Sequence, residues 1–397
     1  MPDPEAAAGG LNSPLAAAQI PLGLYLHFPW CVRKCPYCDF NSHSLRGELD
    51  EPNYVAALLR DLDWELRQRP EPREIRSIFM GGGTPSLFSG AAITELMDGL
   101  RARLDLAADA EITMEANPGT VDEAHFAGYR AAGVNRLSIG VQSFSAEKLR
   151  ALGRIHDPED ARRAVRVARG AGFENFNLDL MFALPGQSLA QAAEDLEAAL
   201  ALAPTHLSYY HLTIEPNTAF AQAPPLLPDE DAGADMLDQA LATLGAAGYQ
   251  RYEVSAYAQP GREARHNLNY WQFGDYLALG AGAHGKRSGV DGLWRSARQR
   301  HPQKYLQTAG TAAVLQGHTA ILEEQRQFEY LMNSLRLSAA QPLADYETRT
   351  GQSAAALQDD LAPLQARGLI RIEDGAVGAT ELGLAHLNTV LGQVLAG

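Results

Sequence analysis

The sequence predicts an α/β fold: a partial (β/α)6 barrel followed by a small C-terminal winged-helix-like α+β domain. Two patterns carry the prediction. From residue 23 to about residue 257, short β-rich runs alternate with longer helical patterns, and from about residue 321 to the end helices precede a compact hairpin. Regular strand–helix alternation implies a parallel sheet with helices outside it, because parallel neighbours need crossover connections.

Taken in order, the strands read as 24–28, 77–80, 112–115, 136–141, 175–182 and 207–212. Between them, Thr120-Val-Asp-Glu123 reads as a capping box, Asp157-Pro158 as an N-cap with proline in the first turn, and Gly133 and Gly172 as helix stops. Six such units make a partial or open barrel, and in such folds ligands bind where the carboxyl ends of the strands converge. Past Gly285 the pattern changes, and residues 368–380 read as a β-hairpin turning at Asp374-Gly375. Winged helices often bind nucleic acid, but Asp359, Asp360 and Glu373 make this one a better structural cap or partner surface. The expected division is a flexible tail over 1–20, the barrel over 21–257, a connecting segment over 258–320 and the terminal domain over 321–397.

Composition sets the class. The chain has 397 residues, 33 Lys+Arg against 48 Asp+Glu for a formal charge of −15, 46% hydrophobic and 20% charged residues. These are values of an ordinary globular protein. The acidic balance opposes delocalised nucleic-acid binding, which needs a basic face. No run approaches the roughly 18 apolar residues of a membrane span. The segment 1–20 lacks the cationic start and apolar stretch of a secretion signal. A reducing cytoplasmic setting is the expectation.

The cysteines point to chemistry. All 3 lie within residues 31–38, as Cys31, Cys35 and Cys38. An odd, clustered set is not a disulfide framework. A structural zinc site normally takes four protein ligands, so zinc here would need His27 or His43 as the fourth. Three closely spaced thiolates also suit a cubane iron–sulfur cluster, one thiolate per iron, with the fourth iron open to a small ligand.

Other motifs fall at strand ends. Gly81-Gly82-Gly83-Thr84-Pro85 follows the second strand, and glycines there let a polar head group approach the backbone or make a tight turn. Glu115 ends the third strand, where a carboxylate accepts from ribose hydroxyls or caps a helix. Gln142 ends the fourth strand and offers donor and acceptor, and Arg154 offers a fork for a carboxylate. Asp179, inside an apolar run, needs a partner, and Arg154 is the expected one. His266-Asn267-Leu268-Asn269-Tyr270-Trp271 places a histidine beside aromatic rings. Such a group either offers an imidazole ligand beside aromatic faces or packs as a turn. His284 is a second candidate ligand.

The Cys-x3-Cys-x2-Cys loop after an apolar strand resembles the radical S-adenosylmethionine (SAM) superfamily. With Tyr25, the Gly-Gly-Gly-Thr-Pro turn, Glu115, residues 140–144, Asp179-Leu180-Met181 and Leu184-Pro185-Gly186-Gln187, it resembles the oxygen-independent coproporphyrinogen III oxidase family from about Leu22 to the C-terminus. The resemblance implies that Cys31, Cys35 and Cys38 hold a [4Fe-4S] cluster and that the amino and carboxylate groups of SAM chelate its open iron. It implies that Tyr25, Tyr37, Gly82, Gly83, Thr84 and Glu115 contact that SAM. Gln142, Arg154 and Asp179 match positions that contact a second SAM in the oxidase.

Two subfamilies separate at residue 40. The oxidase has a fourth cysteine there and a longer N-terminal extension, whereas this chain has Phe40. Residues 29–43 and the His-Asn-x-x-Tyr-Trp motif resemble the heme chaperones of the family, which implies heme binding at His266, Tyr270 and Trp271. The expected function is heme transfer to acceptor hemoproteins, such as respiratory ones, by a radical SAM protein without coproporphyrinogen III dehydrogenase activity. The rivals are oxidative decarboxylation of coproporphyrinogen III in porphyrin biosynthesis and radical chemistry on an unrelated substrate. The partners implied are heme, acceptor hemoproteins and an electron donor for the cluster, with no nucleic acid. Homodimerisation and peripheral membrane association stay open.

Overall fold

The computed structural model describes Leu15 and residues 17–396. All six expected strands form, as β1 Leu22–Phe28, β2 Ile75–Gly82, β3 Leu106–Ala116, β4 Arg136–Gln142, β5 Phe176–Phe182 and β6 His206–His211. They stand side by side in chain order, each parallel to the next. Burial on both faces explains their nearly continuous apolar runs, as parallel sheets covered by helices require. In β1 only Tyr25 is half-buried, and in β5 only Asp179. These interruptions lie on the inner face.

The sheet is larger than expected, with twelve strands. Beyond β6 lie β7 Gln250–Glu253 and β8 Ala256–Ala258, with β8 pairing antiparallel to β6 and β7 outermost. Segment 258–320, expected only to connect, supplies β9 Asp275–Leu279, β10 His284–Gly289, β11 Gly292–Arg298 and β12 Leu315–Ile321. β9 runs parallel to β1, and the next three pair antiparallel in succession.

These strands escaped the sequence pattern because charge, not apolar alternation, fastens them. Lys286 and Arg298 are almost fully buried. Lys286 Nζ pairs with Asp275 at 3.0 Å. Arg298 reaches Asp61 at 3.1 Å and Glu65 at 2.8 Å, both on helix α1 Glu51–Gln68. Tyr305 donates to Asp61 Oδ2 at 2.9 Å.

Local signals mostly act as expected. Asp157 caps the helix Pro158–Gly170, and Gly133 ends Glu123–Ala132 at φ 102°. The capping box shifts by two residues: Thr120 closes a 3-10 turn, and the helix is capped by Asp122, which accepts from the His125 amide at 2.9 Å. Asn117 sets this, since its side chain accepts from Gly119 N and its carbonyl from the Thr120 hydroxyl. Of the expected tail, Ala17–Gln19 form a 3-10 turn, and most of the rest lies outside the described residues.

At the C-terminus, helices Glu323–Ser334, Leu343–Thr350 and Ala354–Ala366 precede strands Ile370–Glu373 and Ala376–Ala379. Asp374 and Gly375 turn the hairpin at φ 52° and 73°, the left-handed pair a two-residue hairpin favours. Tyr330, Leu331, Tyr346, Leu361 and Val377 form its core, joined by Phe273 from the turn before β9 and Leu293 from β11. Arg336 pairs with Glu253 at 3.1 Å across the same junction.

Removing one partner of a buried pair leaves an uncompensated charge. Asp61→Ala should therefore lower unfolding stability by about 3–5 kcal/mol, read from urea midpoints with an unchanged slope.

Candidate functional site

The cysteine loop is built by backbone pairing. After β1 the chain runs through Trp30–Cys31, which pairs with His43–Ser44 and closes the loop on itself. Lys34 Nζ donates to the Phe40 and Ser42 carbonyls at 3.0 and 3.2 Å. Asn41 Nδ2 ties the loop to the added strands through the carbonyls of Ala281 and Arg300, at 2.9 and 2.8 Å.

The glycine turn is sterically obligatory. A Cβ on Gly83 would lie 2.5 Å from the Trp30 carbonyl, and one on Gly82, at φ +110°, 2.4 Å from the His27 ring. Gly83 N donates to Phe28 O at 2.6 Å and Thr84 N to Trp30 O at 2.7 Å. The turn thus carries the root of the cysteine loop.

Cys31, Cys35 and Cys38 are free and half-buried, and all three line a cavity of about 350 Å³. Among the described residues no three His, Cys, Asp or Glu side chains converge as around a single metal ion. Lining one cavity, the three thiols suit a cubane, which takes one thiolate per iron. Burial pushes the Cys31 and Cys38 thiols up, so they start protonated, and ligation there would release protons.

Tyr37, Gly82, Gly83, Thr84, Glu115, Gln142, Arg154 and Asp179 line the same cavity. Gln142 sits at φ 70°, a strained conformation for a non-glycine residue, and its Oε1 accepts from Tyr210 OH at 2.7 Å. The expected Arg154–Asp179 pair does not form. Arg154 donates to Gly140 O at 2.8 Å and to Cys35 Sγ at 3.6 Å, and its buried Nε has no protein partner. Asp179 accepts from Asn177 at 2.7 Å and Ser138 at 3.1 Å, groups on its own and the neighbouring strand. Nearby polar side chains satisfy the acid, which leaves the guanidinium at the cysteines. Glu115 accepts from Gly82 N at 3.1 Å, and burial, then Asp179, push its carboxyl up to about 8. Burial raises Asp179 as well.

Tyr25 lies elsewhere. It lines a larger cavity of about 780 Å³, which shares Phe40, Gly82, Glu115 and Trp271 with the smaller one. Its hydroxyl meets His27 Nδ1 at 2.8 Å, and its ring stacks on Phe79. Of the proposed heme residues, Tyr270 and Trp271 line this cavity. His266 lines neither. It is 6% exposed, its Nδ1 lies 3.2 Å from Glu111, and its ring packs 4.0 Å from that of Phe79. Helix α2 Arg265–Trp271 is short, and its register turns His266 toward the sheet. His284 does line the cavity, beside His27, Phe79, Tyr276, Lys286, Arg295 and Arg300. The sequence reading missed these last residues as site members, apart from weighing His27 for zinc. Strand alternation finds His27 two residues after Tyr25 and Lys286 two after His284.

Residues 25–199 match the radical SAM superfamily, and residues 321–386 match the HemN C-terminal domain. The solved structure of coproporphyrinogen III oxidase (HemN) from Escherichia coli, a radical SAM enzyme, is similar over 98% of this chain and 92% of its own, with TM-score 0.80 and 25% identity. Fold and cysteine loop therefore define a radical SAM protein of the HemN type. Heme chaperone HemW of Escherichia coli K12 is 51% identical over 377 residues, 95% of this chain and 98% of the relative. That of Bacillus subtilis 168 is 34% identical over 94% of this chain and 98% of its own. The chain belongs to the HemW heme chaperone family.

An acid whose folded pKa is raised contributes stability at low pH that is lost as the pH climbs. For Glu115 the window runs from the ordinary 4.5 to about 8. The ligand-free protein should lose thermal stability across it, and Glu115→Gln should flatten the decline, as read by melting temperature at half-unit pH steps.

Proposed function

We propose that this protein binds heme and passes it to acceptor hemoproteins, holding a [4Fe-4S] cluster through Cys31, Cys35 and Cys38 and SAM in the smaller cavity. The observation that carries the reading is the 51% identity to a heme chaperone over 95% of the chain. The cavities support it: one has thiols, glycine backbone and a free guanidinium edge, the other an aromatic wall with cations. When bound, the cluster supplies an open iron that SAM can chelate.

The protein's own groups select and orient. Gly82, Gly83 and Thr84 bring backbone close to the SAM amino acid, and Tyr37 packs against it. Glu115 accepts from ribose hydroxyls, Arg154 offers donors beside Cys35, and Gln142 and Asp179 add polar contacts. Tyr270 and Trp271 cover an apolar macrocycle in the larger cavity. Phe40, 60% exposed, stands where the oxidase has its fourth cysteine, so the decarboxylase reading lacks that cysteine.

Among the described residues no helix is long and apolar enough to cross a membrane. We place the protein in the cytoplasm, reduced by a one-electron donor. A homodimer and peripheral contact with a membrane fit an apolar cargo handed to respiratory acceptors.

Anaerobic reconstitution followed by titration tests this reading. The wild type should take up four irons, show a paramagnetic signal that shifts with SAM, and bind hemin stoichiometrically. Cys31→Ala should abolish the cluster signal. Incubation with coproporphyrinogen III, SAM and dithionite should yield no protoporphyrinogen; rapid formation would establish the oxidase instead.

A further inference from the structure

We propose that His284 is the axial ligand of heme seated in the larger cavity, with Arg300 holding a propionate at its mouth. This rests on the heme-chaperone reading and assigns it a chamber. The cavity, about 780 Å³, lies within the roughly 300–1,000 Å³ that ligand pockets span. Phe79, Tyr270, Trp271, Phe273 and Tyr276 give it an apolar wall, with Tyr270 and Tyr276 edge to face at 4.6 Å. A flat apolar macrocycle with two carboxylates needs such a wall and a cationic rim.

Two histidines line the chamber, and their hydrogen bonds decide between them. His27 has both ring nitrogens occupied, by Tyr25 OH at 2.8 Å and Asn41 O at 2.9 Å. His284 is exposed at the start of β10, and its ring makes no hydrogen bond among the described residues. A neutral imidazole gives its lone pair to iron in one coordinate bond, with no proton released and no electron transferred.

The cations sort in the same way. Lys286 is bound to Asp275, and Arg295 to Glu329. Arg300 is exposed, and its guanidinium has no partner among the described residues. Its carbonyl accepts from Asn41 of the cysteine loop at 2.8 Å. Gly282, two residues before His284, packs against the same Asn41, since a Cβ there would lie 2.2 Å from its amide nitrogen. One loop residue therefore braces both proposed heme contacts.

The test is hemin titration of the full-length, cluster-reconstituted chain, followed by difference absorption and electron paramagnetic resonance. His284→Ala should raise Kd by about tenfold or more and remove the histidine-ligated signature, with added imidazole restoring it and the cluster signal unchanged. Arg300→Glu should weaken hemin several-fold but leave hemin dimethyl ester unaffected. His266→Ala should keep the ligand signature. If wild type binds hemin and His284→Ala retains both affinity and spectrum, or His266→Ala alone loses the spectrum, the ligand assignment is overturned while the chaperone reading stands. If wild type binds no hemin, that reading falls and the assignment falls with it.

Discussion

The site is organised around a close backbone contact, where the Gly81–Gly83 turn lies flat beneath the root of the cysteine loop. Two short hydrogen bonds, Gly83 N to Phe28 O and Thr84 N to Trp30 O, continue the β1–β2 ladder past the end of the sheet. Side chains are sterically barred from that contact. As a result the three thiols hang over the mouth of the barrel at a height set by main-chain geometry. Everything chemical is referenced to it: Glu115 reaches Gly82 N, and His27 packs on Gly82 while holding Asn41 of the loop.

The barrel interior is unusually polar for a sheet core. Glu115, Ser138, Asn177, Asp179 and Ser208 sit on neighbouring strands, linked in part by direct hydrogen bonds. Burial holds both acids toward their neutral forms. In the proposed function a cationic sulfonium nucleotide compensates such a wall, and an apolar cargo takes the neighbouring chamber. Shared residues Phe40, Gly82, Glu115 and Trp271 put the two in contact without merging their chemistry.

Much of this was legible in advance because its causes are local. Strand–helix alternation, Asp157, Gly133 and the Asp374-Gly375 turn each act within a few residues, and each forms as read. The cysteine spacing and glycine turn are likewise contiguous, so both motifs could be picked out before the fold. The added strands β9–β12 were not legible. Their buried Lys286, Arg287 and Arg298 look like surface residues until Asp275 on β9, and Glu65 and Asp61 far back on α1, neutralise them.

The sequence by itself determined the class of protein, the parallel barrel and the identity of the thiol and glycine groups, because period, spacing and steric permissiveness are properties of short segments. Only the tertiary structure decided which side chains face which space. Arg154 went to Cys35 and not to Asp179, Tyr25 to the larger chamber, and His266 inward against Phe79 while His284 stayed at the rim. Those outcomes depend on which distant partner reaches a polar group first, and no stretch of chain carries both halves of that competition.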